Sequence, residues 1–291
     1  MDAVNMSLQT YRSQADEQAV IDLINQLNNA GVPVYVAAGN SGPNYNTLST
    51  YAKFTPHSVG NIIDPYEGGW GIATGSSRGT SFAPTGENQG PKMVAPGEYI
   101  RAAQANSTNN NGYVTLSGTS MATPAVAGTY ALMKDAAITA GRTQLTFVLD
   151  DYGTTGNDKV YGNGNLLSYD SIKTSGGKTT GSFNDYREHI WDNDVLQEGW
   201  STTYRINVTG TTAYFSTTLL IANEQGQDLD LYVWEPGQNP DVDPPAYAST
   251  GTTPQERISF TPTMTGIYTV KVVAFSGTAG YSIDFVGQIS Q

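Results

Sequence analysis

The stretch VPVYVAAGNSG, residues 32–42, runs from a nearly continuous apolar segment straight into a glycine turn. Such a run, spanning Val32–Ala38, is typical of a parallel strand covered on both faces. Asn40 follows at the carboxyl end of this strand, where α/β sheets usually place their sites. Its side chain either serves the turn or offers an amide donor to a reacting oxyanion.

The residues before this strand complete a strand, helix, strand pattern. Residues Ala3–Leu8 form a short apolar run, and Ser13 with Asp16 three positions later has the pattern of a helix N-cap. Apolar residues then recur at helical spacing, at Val20, Leu23, Ile24 and Leu27, and Gly31 ends the segment. The pattern predicts an α/β fold with a parallel sheet.

A second stretch, SGTSMATPAVAG at residues 117–128, predicts another helix from about Ser120 to Asp135. Gly118 permits a tight turn, and Ser120 falls at the helix start, where free N–H groups and the helix dipole favour an anion. Pro124 is expected within the first turn, where proline is tolerated. The small residues indicate either close packing alone or a helix that presents Ser120 as a nucleophile.

Composition limits the possible partners. The chain has 291 residues, with 26 acidic against 14 basic side chains and a net charge of −12, which disfavours nucleic acid and anionic membranes. It has no cysteine and only two histidines, which excludes disulfides and disfavours a zinc site. No apolar run reaches the roughly 20 residues that span a bilayer. The first residues lack signal-peptide character, although a secretion signal could lie on a longer precursor.

Together these motifs resemble those of the subtilisin-like serine proteases (subtilases). GTSMATP resembles the nucleophile motif of that family, which implies Ser120 as the nucleophile, and AAGNSG resembles its oxyanion segment, which implies Asn40. The resemblance runs over about residues 2–174 and implies a partial three-layer, parallel-sheet peptidase domain at 1–174. VNMSL resembles the substrate-pairing strand, and the implied walls of the first specificity pocket are Ser7, Leu8, Ala37, Ala38 and Gly39.

In subtilases the acid and base motifs precede the nucleophile, in the order Asp, His, Ser. This chain begins at the VNMSL strand, so the resemblance implies that acid and base lie on a missing N-terminal portion and that the chain alone is inactive. Neither His57 nor His189 matches the family position of the base. Gln9 stands where the family usually has glycine and is expected to crowd the substrate-binding edge. The open sheet edge predicts pairing with an N-terminal protease fragment or with another chain.

The pattern changes after a Gly/Ser/Thr-rich segment at 175–182, which predicts a linker. Residues 183–291 contain strand-length runs rich in β-branched and aromatic residues, separated by turn residues, and predict an all-β jelly-roll or β-sandwich domain. This segment resembles the pre-peptidase C-terminal domains of secreted proteases, which implies an extracellular location and a binding role. Asn106 and Asn207 fit glycosylation sequons.

The segment DLDLYVW, Asp228–Trp234, alternates so that its aliphatic residues face inward while Asp228 and Asp230 share the outer face. These carboxylates could hold Ca²⁺, which prefers oxygen ligands, or simply lie on a solvated face. Acidic residues that could join them from loops are Asp192, Asp194, Asp241 and Asp243.

Two functions remain open. The first is a secreted serine endopeptidase that hydrolyses peptide bonds of polypeptide substrates through an acyl-enzyme on Ser120, with acid and base on a missing N-terminal portion. The alternative is a noncatalytic extracellular binding or assembly protein on a protease-derived scaffold. Retention of both Ser120 and Asn40 favours the first.

Overall fold

The structure, a computed structural model, describes residues 1–63, 71–105, 112–178, 188–222 and 226–290. The predicted sequon at Asn106 and residues 179–182 of the predicted linker lie outside these ranges. None of the described helices is both long enough and apolar enough to cross a membrane.

The N-terminal part, residues 1–178, is a mixed α/β structure. Its elements in chain order are β1 (Val4–Met6), α1 (Gln14–Asn29), β2 (Val34–Ala37), α2 (Thr50–Phe54), β3 (Ser58–Ile63), β4 (Gly71–Ile72), β5 (Met93–Pro96), β6 (Ile100–Ala103), β7 (Tyr113–Leu116), α3 (Thr119–Thr139), β8 (Leu149–Asp150), β9 (Asn165–Leu166) and α4 (Ser168–Ser175).

One sheet organises this part, in the order β1-β2-β3-β5-β9-β8, with β4 paired to β3. The strands from β1 to β9 along this order are parallel, whereas β8 and β4 pair antiparallel. The strands β6 and β7 form a separate hairpin. Within the described residues β1 pairs only with β2, so the outer edge of β1 carries no ladder hydrogen bonds there.

Helices cover both faces of the sheet, which explains the continuous apolar run of β2. Val34 and Val36 pack with α1 and α2 on one face, and Tyr35 packs with Ala122 and Val126 of α3 on the other. All four residues of β2 are buried. The predicted cap of α1 is confirmed, because the Ser13 hydroxyl accepts a hydrogen bond from the Asp16 N–H at 3.3 Å.

The helix α3 begins at Thr119, so Pro124 is its sixth residue and the prediction that it lies in the first turn is wrong. A proline inside a helix cannot donate to the carbonyl four residues earlier, here that of Ser120. The Ser7 hydroxyl takes the place of the missing donor, at 2.8 Å from the Ser120 carbonyl oxygen. The side chain of Ser7, the residue after β1, thus replaces the hydrogen bond that Pro124 cannot donate.

The C-terminal part, residues 188–290, consists of antiparallel sheets. Its strands are β10 (Glu188–Leu196), β11 (Ser201–Val208), β12 (Phe215–Ile221), β13 (Asp228–Trp234), β14 (Tyr247–Ser249), β15 (Gln255–Phe260), β16 (Gly266–Ser276), β17 (Ala279–Gly287) and β18 (Ile289–Ser290). The described strands form one sheet in the order β10-β17-β12-β15 and another in the order β14-β13-β16-β11-β18. Residues of both sheets share one apolar core.

The two parts of the chain pack against each other through a shared apolar cluster. Tyr152, Tyr161 and Ile62 of the N-terminal part contact Leu220 and Val286 of the C-terminal part in this cluster. All five side chains are buried. The C-terminal sheets therefore cover apolar surface that the α/β part would otherwise expose.

Polar contacts accompany the apolar cluster at this boundary. Arg78 is fully buried, and its guanidinium donates to the side-chain oxygen of Gln255 on β15. Gln255 in turn donates to the carbonyl of Ile72 at 3.1 Å. Burial lowers the pKa of Arg78, which is the expected response of a cation removed from water.

Candidate active site

Ser120 lies in the first turn of α3, two residues after Gly118, whose backbone angle favours glycine. Gly118 is the N-cap residue, has a φ of 140°, and provides no side-chain cap. A Cβ at Gly118 would lie 3.1 Å from the Asn40 side-chain oxygen, so a larger residue would press on Asn40. Half-buried Ser120 places its hydroxyl 3.3 Å from the Ser7 carbonyl oxygen.

Asn40 supplies the cap that Gly118 lacks. Its Oδ1 accepts hydrogen bonds from the Thr119 backbone N–H at 2.9 Å and from the Thr119 hydroxyl at 3.1 Å. Two donors on Oδ1 identify it as the amide oxygen and fix the orientation of the amide, and Asn40 is exposed. The Gly39 N–H donates to the same Thr119 hydroxyl at 3.2 Å, which joins the end of β2 to the start of α3.

Ser7 and Ser120 form a reciprocal pair. The Ser7 hydroxyl donates to the Ser120 carbonyl, while the Ser120 hydroxyl donates to the Ser7 carbonyl at the longer distance of 3.3 Å. The shorter bond fixes the peptide of Ser120, and the longer one leaves the Ser120 hydroxyl only weakly held. The structure thus brings Ser7, Asn40 and Ser120 together from three separate segments.

His57 does not reach this site. Its ring packs on Tyr35, with 5.4 Å between centroids, and Tyr35 also contacts Tyr130 of α3 at 5.9 Å. Tyr130 lies ten residues after Ser120, about 15 Å further along the helix axis. Burial, and then the nearby charge of Lys92, lower the pKa of His57. The ring is therefore a neutral packing group near the opposite end of the sheet.

His189 lies at the boundary between the two parts of the chain. Its Nε2 is 2.8 Å from Asp284 Oδ1, its Nδ1 is 3.6 Å from Asp150 Oδ1, and its ring stacks on Tyr152 at 3.8 Å. Burial disfavours its charged form, but hydrogen bonds and the charges of the two aspartates outweigh burial and raise its pKa to about 9. The β8 strand of Asp150 is five strand spacings from β1, about 24 Å. His189 therefore forms structural ion pairs with two aspartates and cannot act as a base for Ser120.

A sequence profile described as "Subtilase family" matches residues 1–164, more than half of the chain. The chain belongs to the subtilase family. The thermostable alkaline protease of Halalkalibacterium halodurans is 35% identical over 168 residues, which cover 56% of this chain and 40% of that protein. The minor extracellular protease Epr of Bacillus subtilis is 32% identical over 180 residues, which cover 60% of this chain and 24% of that protein.

Subtilisin Savinase of Lederbergia lenta is 32% identical over 166 residues, which cover 56% of this chain and 54% of that protein. This chain therefore spans 24–54% of the length of these three relatives. The solved structure of sphericase is 24% identical and covers 56% of this chain, with a TM-score of 0.40.

The pocket-wall residues implied by the subtilase resemblance have different exposures. Ala37 and Ala38 are 1% and 0% exposed, so they lie beneath the surface, and the Ala38 carbonyl already accepts the Ser49 N–H at 2.8 Å. Gly39 is also buried, Ser7 is half-buried, and Leu8 is 62% exposed. The accessible surface beside Ser120 is therefore provided by the segment around Ser7 and by the Gly39–Asn40 turn.

Two further side chains connect the segment after β1 to the turn after β2 by hydrogen bonds. Gln9 Oε1 accepts the Asn40 backbone N–H at 3.0 Å, and the Tyr11 hydroxyl accepts the Ser41 hydroxyl at 2.8 Å. The subtilase resemblance of the sequence singles out Gln9, whereas nothing in the sequence pattern singles out Tyr11. Its role depends on a contact 30 residues distant along the chain, which only the folded structure reveals.

The predicted calcium ligands do not fit a Ca²⁺ site. Asp230 is only 6% exposed, so it does not lie on a solvated face, and it accepts the Tyr232 hydroxyl at 3.0 Å. Asp228 begins β13, whereas Asp241 and Asp243 follow the far end of that strand, about 20 Å away. Asp192 and Asp194 belong to β10 in the other sheet. The described residues contain no group of three or more metal-binding side chains.

The aliphatic half of the DLDLYVW prediction is confirmed, because Leu229, Leu231 and Val233 are fully buried. The acid that approaches Asp228 and Asp230 is Glu256 of β15, which the sequence did not single out. Burial raises the pKa of Glu256, and the charges of the two aspartates raise it further. Hydrogen bonds from the Ser249 hydroxyl and the Gly251 N–H to the Glu256 carboxylate partly offset this repulsion.

Proposed function

We propose that this protein is a secreted serine endopeptidase that cleaves polypeptides through an acyl-enzyme on Ser120. The observation that supports it is the junction of β2 and α3, where the Oδ1 of exposed Asn40 is held by Thr119, the residue before Ser120. An amide donor close to a hydroxyl at a helix start can stabilise the oxyanion of acyl transfer.

In the proposed reaction the Ser120 oxygen forms a bond to the peptide carbonyl carbon, and the carbonyl electron pair moves onto its oxygen. The Asn40 Nδ2–H and the Ser120 backbone N–H, a donor of the first helical turn, hold the oxyanion. The tetrahedral intermediate then collapses and its C–N bond breaks. A base that took the proton of the Ser120 hydroxyl transfers this proton to the departing amine. Water hydrolyses the resulting ester by the same steps.

The base and its orienting acid are proposed to lie outside this chain, on an N-terminal protease portion. Both histidines of the chain are too far from Ser120 to act, as their contacts with Tyr35 and Tyr152 indicate. The outer edge of β1, Val4–Met6, is the proposed place for that portion or another chain to pair, because a strand there would complete the ladder beside Ser7.

The remaining assignments concern the organisation of the chain. We propose a partial peptidase domain at 1–174, a linker at 175–182 and a β-sandwich of the jelly-roll, pre-peptidase C-terminal type at 183–291. Antiparallel sheets with a common core support the sandwich. An extracellular location is supported by the relative in Bacillus subtilis that is named an extracellular protease.

The test is to purify the protein from cells that express it, treat it with a fluorophosphonate probe and map the labelled peptide. Labelling of Ser120, abolished in Ser120→Ala, together with a polypeptide that co-purifies and carries a reactive histidine, would support the proposal. Unlabelled Ser120 in material that is folded, by circular dichroism, would refute it and favour a noncatalytic scaffold.

A further inference from the structure

We propose that Gln9 and Tyr11 bridge the crevice beside Ser120 and restrict cleavage to bonds that follow small residues. This inference deepens the proposed function and rests on it. The residues involved lie on two segments that flank Ser120: residues 7–11, which follow β1, and residues 39–41, which follow β2.

The positions of the reacting groups locate the crevice. The Ser120 hydroxyl contacts the Ser7 carbonyl, and the Asn40 side chain contacts Thr119, the residue before Ser120. A carbonyl held between the Ser120 oxygen and the Asn40 amide therefore lies between the two flanking segments. The side chain of the residue that provides this carbonyl is directed into the space between them.

Gln9 closes the outer part of that space. Its side-chain oxygen accepts the backbone N–H of Asn40 at 3.0 Å, which links the two segments directly. Gln9 is exposed, so the link lies at the mouth of the crevice rather than in the core. The bond also occupies a backbone donor one residue from the Gly39 turn.

Tyr11 closes the crevice further along. Its hydroxyl accepts the Ser41 hydroxyl at 2.8 Å, and it lies 2.7 Å from the position that a Cβ would have at Gly39. The Ser77 hydroxyl lies at the same 2.7 Å from that position, on a segment whose N–H binds the Gly39 carbonyl. The hydroxyl end of the Tyr11 ring thus occupies the space beside Gly39. The crevice is therefore too shallow there for a bulky substrate side chain.

The bridges predict a preference by size. A small side chain, such as that of alanine, needs no rearrangement, whereas leucine or phenylalanine must displace the Tyr11 ring and break the bond between Gln9 and Asn40. Removing the bridges should therefore improve acceptance of large residues by about 10–100-fold, the range by which pocket contacts usually discriminate. Acceptance of alanine should change little.

The experiment measures binding, so that it does not depend on catalysis. Calorimetric titrations of the full chain use tetrapeptides that differ only in a C-terminal Ala, Leu or Phe, against wild type, Gln9→Ala, Tyr11→Ala and Tyr11→Phe. Tyr169→Ala is the matched control, because Tyr169 is an exposed tyrosine on α4, 47% exposed as against 52% for Tyr11. Fluorophosphonate labelling of Ser120 is recorded separately.

The expected result is wild-type preference for Ala, with tighter Leu and Phe binding in Gln9→Ala and Tyr11→Ala but not in the control. Tyr11→Phe should show an intermediate gain, since it loses the bond to Ser41 but keeps the ring. Equal or tighter wild-type binding of Phe, unchanged ratios in the variants, or no binding of any peptide would overturn the inference. If peptide binding is as expected but Ser120 is not labelled in the protein purified from expressing cells with its co-purifying polypeptide, only the proposed catalysis is refuted.

Discussion

Asn40 has two separable tasks, and two substitutions at this one residue distinguish them. Its Oδ1 caps α3 through the Thr119 N–H at 2.9 Å, while its Nδ2–H₂ is proposed to hold the oxyanion. Asn40→Ala removes both groups. Because Gly118 offers no side-chain cap, the Thr119 N–H then loses its partner, and the chain should lose about 1–2 kcal/mol of unfolding free energy. That loss lowers Tm by about 2–4 °C per kcal/mol for a domain of this size.

Asn40→Asp keeps the capping oxygen and adds a negative charge at a helix N-terminus, where the dipole favours it. It should therefore retain wild-type Tm, while its carboxylate repels the oxyanion. Both variants should lower the rate of Ser120 labelling by about 10²–10³-fold, the kcat cost known for the oxyanion asparagine of subtilisin itself, the type member of this family. The assays are thermal unfolding of the chain and the rate of fluorophosphonate labelling in the protein purified with its co-purifying polypeptide. An Asn40→Asp variant as unstable as Asn40→Ala, or one that labels at the wild-type rate, would refute this reasoning.

Three further predictions concern other contacts. Ser7→Ala leaves the Ser120 carbonyl without its donor and should cost about 1 kcal/mol in urea unfolding and slow the labelling of Ser120; an unchanged midpoint would contradict this. Since the raised pKa of His189, about 9, exceeds its unfolded value of 6.5, the stability that its ion pairs contribute is complete below pH 6.5 and lost as pH rises to about 9. His189→Gln should flatten the Tm profile in that window, and a parallel profile would contradict the charge assignment. Gln255→Ala removes an acceptor from the buried Arg78 and should cost about 2 kcal/mol by chemical unfolding, whereas Gln197→Ala, at an exposed position between β10 and β11, should cost almost nothing.

The sequence predicts the α/β frame well because its signals are local. The Ser13 cap, the doubly buried β2 run and the helix after Gly118 each depend on neighbours within a few residues, and all three are confirmed. The position of Asn40 beside the helix of Ser120 also follows from local rules, since the carboxyl end of a strand and the start of a helix both attract sites.

The features that the sequence misses depend on distant contacts. The position of Pro124 within α3 can be predicted only if the first residue of the helix is known, and α3 begins one residue before Ser120. The strand β10 carries several exposed acids and lies at a sheet edge, so it lacks the alternation of a half-buried strand. Burial of Asp230 likewise depends on contacts made only when the C-terminal sheets fold. The alternation of residues along one strand does not reveal these contacts.

The apolar cluster at the boundary has an implication for how such chains can be recombined. Leu220 and Val286 of the sandwich fill a surface made by Tyr161 and Ile62, and Gln255 matches a single buried guanidinium there. A C-terminal part taken from another protein would meet this surface with other shapes and would leave the buried Arg78 guanidinium without the Gln255 acceptor. The two parts are therefore not interchangeable modules, and substitutions on one side of the boundary can persist only with compensating changes on the other.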